Sequence, residues 1–157
     1  MEEFEQGQNG DGQRSSNIIA EITRPAEVQS FAELHGFVAD VAKKNDFPDL
    51  RIEEIQRAME VAFKNILAHS YKGRTGDIQV TCKYDHWGKF MIVISDSGDP
   101  SNLLLADVVF AGEDEPVDKE RRAAAKLVKK LIDNVEYKRA DGLNILTFTV
   151  ATMPRRV

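Results

Sequence analysis

The stretch from residue 52 to residue 71, IEEIQRAMEVAFKNILAHSY, constrains the chain most. Apolar residues recur at Ile52, Ile55, Ala58, Met59, Ala62, Phe63 and Ile66, the spacing of an amphipathic helix rather than of a strand. At about 100° of rotation per residue, these side chains and His69 fill one continuous arc of roughly 140°. Asn65 lies at the margin of the arc, and Gln56, Glu60, Glu53, Lys64 and Arg57 fill the opposite side. The stretch is a core helix with an amide, and an imidazole one turn later, along one edge. Two readings of that edge stand. Asn65 and His69 are boundary residues satisfied by water or backbone, which the helix alone favours, or they are the rim of a chemical site.

The rest of the chain must supply what this helix packs against. A length of 157 residues predicts one domain with a real core. The net charge of −5 sets direct nucleic-acid binding aside, because phosphate contact favours a basic domain. The single cysteine, Cys82, excludes an internal disulfide. His35, His69 and His86 have no metal-ligand spacing. No apolar run approaches the roughly 18 residues of a membrane span, and the acidic N-terminus carries no apolar signal core. A cytoplasmic protein without membrane contact is expected.

Taken in order, residues 1–16 are rich in Glu, Gln, Gly, Asn and Ser and predict a mobile tail. Residues 17–24 read as a strand closed by Pro25. Residues 27–45 carry Val28, Phe31, Leu34, Val38, Val41 and Ala42 at helical spacing. Phe47-Pro48-Asp49 separates that helix from the central one. Ile78, Val80, Cys82 and Tyr84 alternate with polar residues, the pattern of a half-buried strand. Asp85-His86-Trp87-Gly88 predicts a hairpin turn, with Trp87 packing at the strand end. Residues 90–95 are nearly all apolar and predict a central strand.

Asn102 to Phe110 reads either as a short helix or as a segment folding over a pocket, and residues 112–118 as an acidic loop. Residues 119–133 form a helix with Ala124, Leu127, Val128, Leu131 and Ile132 inward. Its basic stripe, Lys119, Arg122, Lys126, Lys129 and Lys130, reads first as a solvated face. Residues 134–139 and 143–150 are strands about an Ala140-Asp141-Gly142 turn, and residues 152–157 a frayed end. The order β-α-α-β-β-(short segment)-α-β-β predicts an α+β sandwich of two layers. A mixed, mostly antiparallel sheet is covered on one face by about three helices.

Three pieces in this order carry a resemblance: Asn65-Ile-Leu-Ala-His69-Ser-Tyr71 late on a long helix, Ile94-Ser-Asp96-Ser-Gly98-Asp99 after a strand, and residues 127–135 (LVKKLIDNV) before a final hairpin. Over about residues 17–151 the chain resembles the histidine-kinase-like ATPase fold of DNA gyrase, sensor histidine kinases and mismatch-repair ATPases. Within it, the chain most resembles the anti-sigma-factor serine/threonine kinases of bacterial partner switching. The resemblance implies ATP or ADP with Mg²⁺ as cofactors. Its partners would be a sigma factor and an anti-sigma antagonist that an active member phosphorylates, and a homodimer is left open. It implies a nucleotide site in which Asn65 holds Mg²⁺ through the phosphates, a use of a hard oxygen ligand that suits this ion. Asp96 would accept from the adenine amino group, Gly98 would let the backbone pass close to the ring, and His69 would reach the site from its edge or pack as a core histidine.

The chain departs from that family in two places. The general base falls on Val61, and Glu60, one residue earlier, points about 140° from Asn65 on a regular helix, where Lys64 at i+4 is its natural partner. Only a bulged helix would aim Glu60 at the site as a catalytic residue. The glycine-rich lid positions fall on Arg122 and Ala124, with Arg122 able to offer a side chain to phosphate. These departures carry the alternative, a pseudokinase that binds partners without chemistry. A stand-alone sensor-kinase relative comes last, because no phosphoacceptor histidine on a separate dimerisation helix is visible.

Overall fold

A computed structural model describes residues 17–107 and 116–152; the predicted N-terminal tail, the acidic loop at 112–115 and the last five residues lie outside the described residues. Five strands form one sheet in the order β1-β2-β3-β5-β4. They are β1 (Asn17–Pro25), β2 (Asp77–Tyr84), β3 (Phe90–Asp96), β4 (Asn134–Ala140) and β5 (Leu143–Val150). The helices are α1 (Phe31–Lys44), α2 (Asp49–Asn65) and α3 (Pro116–Leu131), with one-turn 3-10 helices at Val28–Ser30 and Leu103–Asp107. The ambiguous segment after residue 102 therefore starts as a short helical turn, and its last three residues lie outside the described ones.

All four ladders are antiparallel, where the sequence predicts a mixed, mostly antiparallel sheet. The reason is the final hairpin. Strands β3 and β4 run the same way after the α3 crossover, but β5 is inserted between them and is antiparallel to both. The hairpin turn is tight because Asp141 (φ 55°) and Gly142 (φ 78°) both adopt the left-handed backbone that a two-residue turn of matching twist requires.

One sheet face carries the core. Ile78, Val80 and Cys82 of β2, Ile92 and Ile94 of β3, and Leu146, Phe148 and Val150 of β5 meet Leu34 and Val38 of α1, Ile55, Met59 and Phe63 of α2, and Val128 of α3; all are buried. The predicted inward residues Ile78, Val80 and Cys82 of β2 are buried, with Thr81 buried as well, while β3 and β5 alternate buried and half-buried residues. Trp87 departs from its expectation. Asp85 accepts from Trp87 N (2.9 Å) and Lys89 N (2.8 Å), which closes the turn and turns the indole outward, 74% exposed against His86.

The end of the sheet far from the turns around Asp96 is fastened by Arg51. Its side chain is buried at the start of α2 and donates to Leu131 O (2.7 Å), Ala151 O (3.0 Å), Glu54 and Asp133. The central helix thus grips α3 and the end of β5 from one side chain.

Candidate functional site

The site is built where α2 stops being an α-helix. Beyond Asn65 the chain widens into a π-helical turn, Ile66–Tyr71, and Lys72 N bonds Leu67 O, five residues back, at 3.0 Å. Such turns leave carbonyls in need of donors. Here Ser70 O accepts from Asp99 N (2.8 Å) and Arg74 Nη2 (2.9 Å), and Tyr71 O from Arg74 Nε (2.8 Å). The donors come from the loop just beyond and from the turn after β3, so the bulge docks that turn against the helix end.

Gly98 makes the docking possible. A Cβ there would lie 2.5 Å from Ser70 O, inside any tolerable contact. The glycine's lack of a side chain is thus used against the π turn. Tyr71 adds a second fastening, donating to Asp77 O (2.6 Å) and accepting from Ser97 N (3.0 Å).

Asp96 ends β3 on the inward face, in step with Phe90, Ile92 and Ile94. Its ladder partner on β5 is Asn144, and the amide donates to Asp96 Oδ1 at 2.9 Å, as does Gly98 N. Burial pushes the Asp96 carboxyl above the usual carboxylate range, against the pull of the Asn144 and Gly98 hydrogen bonds. Asn144 is the junction of the site. It also donates to Asp99 O (2.8 Å) and Ser70 Oγ (3.3 Å), and accepts from Tyr137 (2.5 Å) and Ser101 N (3.1 Å). The sequence signal for it was a lone amide on the inward stripe Asn144, Leu146, Phe148, Val150.

Asn65 faces two spaces. Inward it shares with Asp96, Ser101, Tyr137 and Asn144 a cavity of about 20 Å³, far smaller than the roughly 300 Å³ at which small-ligand sites begin. Admitting an adenine ring beside Asp96 requires the segment around Ser101 and Leu103 to move. Outward, Asn65 lines an open pocket of about 220 Å³ with Val61, Lys64, His69, Glu120 and Arg121. The structure therefore brings Asn65, His69 and Asp96 together around one helix end, with Gly98 set behind them against Ser70.

Both ends of the Asn65 amide are engaged. Its Oδ1 accepts from Arg121 Nε at 3.0 Å, its Nδ2 donates to Ser101 Oγ at 3.1 Å, and Arg121 Nη2 donates to the same hydroxyl at 2.8 Å. Because arginine can only donate, the amide oxygen has to point at it. The residue that reaches the site from α3 is thus Arg121 and not Arg122, because one residue is about 100° of helix rotation. His69 is held below its usual pKa by burial first, then by the charges of Arg121 and Lys72, and is neutral at pH 7.

Glu60 is turned away from the site and pairs with Lys64 at 3.0 Å. The bulge that could have re-aimed it lies beyond Asn65, so Glu60 keeps the direction of a regular helix. Val61 lines the pocket in its stead. Among the described residues lining that pocket, the one carboxylate is Glu120, from α3. No cluster of three or more His, Cys, Asp or Glu able to hold a metal ion occurs among the described residues. A divalent cation on Asn65 Oδ1 would have to displace the guanidinium or sit against it. Like charges at contact distance repel by several kcal/mol even at an effective dielectric of about 20. In the arrangement observed, Asn65 Oδ1 is already taken by Arg121 Nε.

A buried carboxylate at the end of a central strand thus shares a small cavity with a helix-borne asparagine in a two-layer α+β fold. The family model described as the histidine kinase-like ATPase domain matches residues 24–150, and the chain belongs to that family. No curated protein matches the chain. Among the described residues, no helix is long and apolar enough to cross a membrane.

Proposed function

We propose that this chain is a cytoplasmic regulator of the anti-sigma-factor type that binds its partners, a sigma factor and an anti-sigma antagonist, without phosphorylating either. The observation that carries this reading is at the base position. Val61 lines the pocket beside Asn65, while Glu60 is outside its lining and is held by Lys64. Removing a general base costs on the order of 10²–10⁴ in rate, and the metal that would position the phosphates is opposed by Arg121. Asp96 keeps the acceptor chemistry for an adenine amino group, so adenine nucleotide acts here as a ligand that biases partner binding.

The test mixes the purified chain with sigma factors and antagonists of the anti-sigma type, with ATP and Mg²⁺. Co-elution on size exclusion with no phosphate on the antagonist supports the reading. Transfer to a serine of the antagonist overturns it, and loss of that transfer in Glu120→Gln would identify the replacement base. Val61→Glu supplies the family's residue; transfer that stays absent in this variant shows that the base is not the only missing part.

A further inference from the structure

We propose a second ligand site at the end of the sheet opposite Asp96, a pocket that takes a small zwitterion with an apolar body. A free amino acid with an aromatic side chain has this chemistry. Asp96 and Asn144 are ladder partners at one end of β3 and β5, and Phe90 and Val150 are partners at the other. Around that second end lies a pocket of about 560 Å³, whose lining includes Phe47, Tyr84, Lys89, Phe90, Asp133 and Val150. Its volume is inside the roughly 300–1,000 Å³ of small-ligand sites and exceeds both spaces at Asn65. The nucleotide reading uses none of these residues.

One wall is aromatic. Phe47, from the segment between α1 and α2, lies 4.9 Å from the Phe90 ring, and Tyr84 meets Phe90 edge-on at 5.9 Å. The Tyr84 hydroxyl donates to Asn45, which fixes the ring. Rings held in this way receive an apolar or aromatic body, and a few polar groups then orient it.

The orienting groups are two opposite charges that line the same pocket without pairing with each other. Asp133 Oδ1 accepts from Arg51 and from Ala151 N (3.1 Å), which pins the carboxylate. Its Oδ2 accepts from none of the described residues. Arg51 is shared between Asp133 and Glu54, so one cation serves two carboxylates and an incoming ammonium is favoured at Asp133. Lys89 makes no ion pair within the described residues, and Asp85 feels its charge from across the turn. A ligand with both an ammonium and a carboxylate answers both groups, whereas a singly charged one leaves one of them unanswered. Because Asp133 also holds Arg51, the ligand would touch the clasp between α2 and α3.

The test is titration of the full chain, followed by calorimetry and by tryptophan emission. The one tryptophan, Trp87, is 74% exposed and adjoins Gly88 and Lys89 of the pocket. The probes are L-phenylalanine, 3-phenylpropionate (no ammonium), phenethylamine (no carboxylate) and glycine (no ring). L-Phenylalanine is expected to bind, and each of the other three to bind at least roughly tenfold more weakly, the loss of one charged hydrogen bond or of the ring contact. Lys89→Gln is expected to weaken phenylalanine binding roughly tenfold and to leave phenethylamine unchanged. Asp133→Asn is expected to weaken phenylalanine binding and to leave phenylpropionate unchanged. Lys89→Gln, in an exposed turn, serves alone where loss of the Arg51 ion pair unfolds the Asp133 variant.

No heat and no change in emission at millimolar phenylalanine overturns the proposal. Equal affinity for phenylalanine and either singly charged analogue overturns the zwitterion, and binding that Lys89→Gln does not alter overturns the location. None of these outcomes bears on the nucleotide reading, which concerns the other end of the sheet.

Discussion

Arg121 Nε donates to Asn65 Oδ1 at 3.0 Å, joining the first turns of α3 to the last residue of α2. The acceptor is a neutral amide, so this contact is a hydrogen bond and not an ion pair. Asn65→Asp would change that by turning the contact into an ion pair. The variant is expected to stay folded and to gain about 0.5–1 kcal/mol, a rise in Tm of roughly 1–4 °C. It is also expected to lose any stabilisation by ATP, because a carboxylate at this position repels phosphate. Parallel melting curves with and without ATP check both halves.

Gly98→Ala is expected to destabilise the protein by about 1–3 kcal/mol. The added methyl would meet the Ser70 carbonyl, which is backbone and is held in turn by Asp99 N and Arg74. A drop in the urea midpoint without a change in m-value checks this; an unaltered midpoint would mean that the π turn is loose enough to give way.

Arg51→Ala is expected to cost about 2–4 kcal/mol. The substitution leaves Leu131 O and Ala151 O without their donor and two carboxylates, Glu54 and Asp133, without their cation. Arg51→Met, which keeps the volume, is expected to recover part of the loss, and chemical denaturation separates the two.

Acid is expected to weaken the fold through two histidines. Burial lowers the pKa of His35, opposed by Glu60, and burial with Arg121 and Lys72 lowers that of His69. Nε2 of His35 is buried without a hydrogen-bond partner beside the Phe63 ring, so its proton would have no acceptor. In the unfolded chain both titrate near about 6.5. Between their lowered folded values and 6.5 the unfolded state binds more protons, so stability rises with pH through that window and is flat above it. Asp96, raised in the fold, contributes the opposite slope from the ordinary carboxylate range upward. Urea midpoints at pH 5.5 and 7.5 for the parent and for His35→Phe with His69→Gln isolate the histidine part. The double variant is expected to show the smaller acid loss.

Much of this architecture was legible one element at a time. The period of residues 52–66 placed Asn65 at a core margin and Glu60 across the helix from it, and the structure pairs Glu60 with Lys64 as that spacing requires. Strand alternation gave the inward stripes. What was not legible depends on contacts between distant segments. The π turn at Ile66–Tyr71 has no local signature in ILAHSY; it is stabilised by Arg74 and by the turn after β3. Gly98 invited a reading toward a ligand, but its neighbour is Ser70. Arg122 was the arginine expected to reach the site, but the rotation of α3 brings Arg121, its neighbour, to Asn65. Asn144 was visible as an odd amide on an apolar stripe, yet its partners from the π turn, β3, the turn after it and β4 exist only in the fold.

The two grips of α2 on α3 have a mechanical consequence. At one end Arg51 clasps Leu131 O and Asp133 from a buried position; at the other Asn65 touches Arg121 in a half-open pocket. The first behaves as an axle and the second as a catch. From residue 121 to residue 131 the helix is a lever arm of roughly 15 Å. Any pivoting of α3 about the Arg51 clasp would therefore be larger at Arg121 than at Leu131.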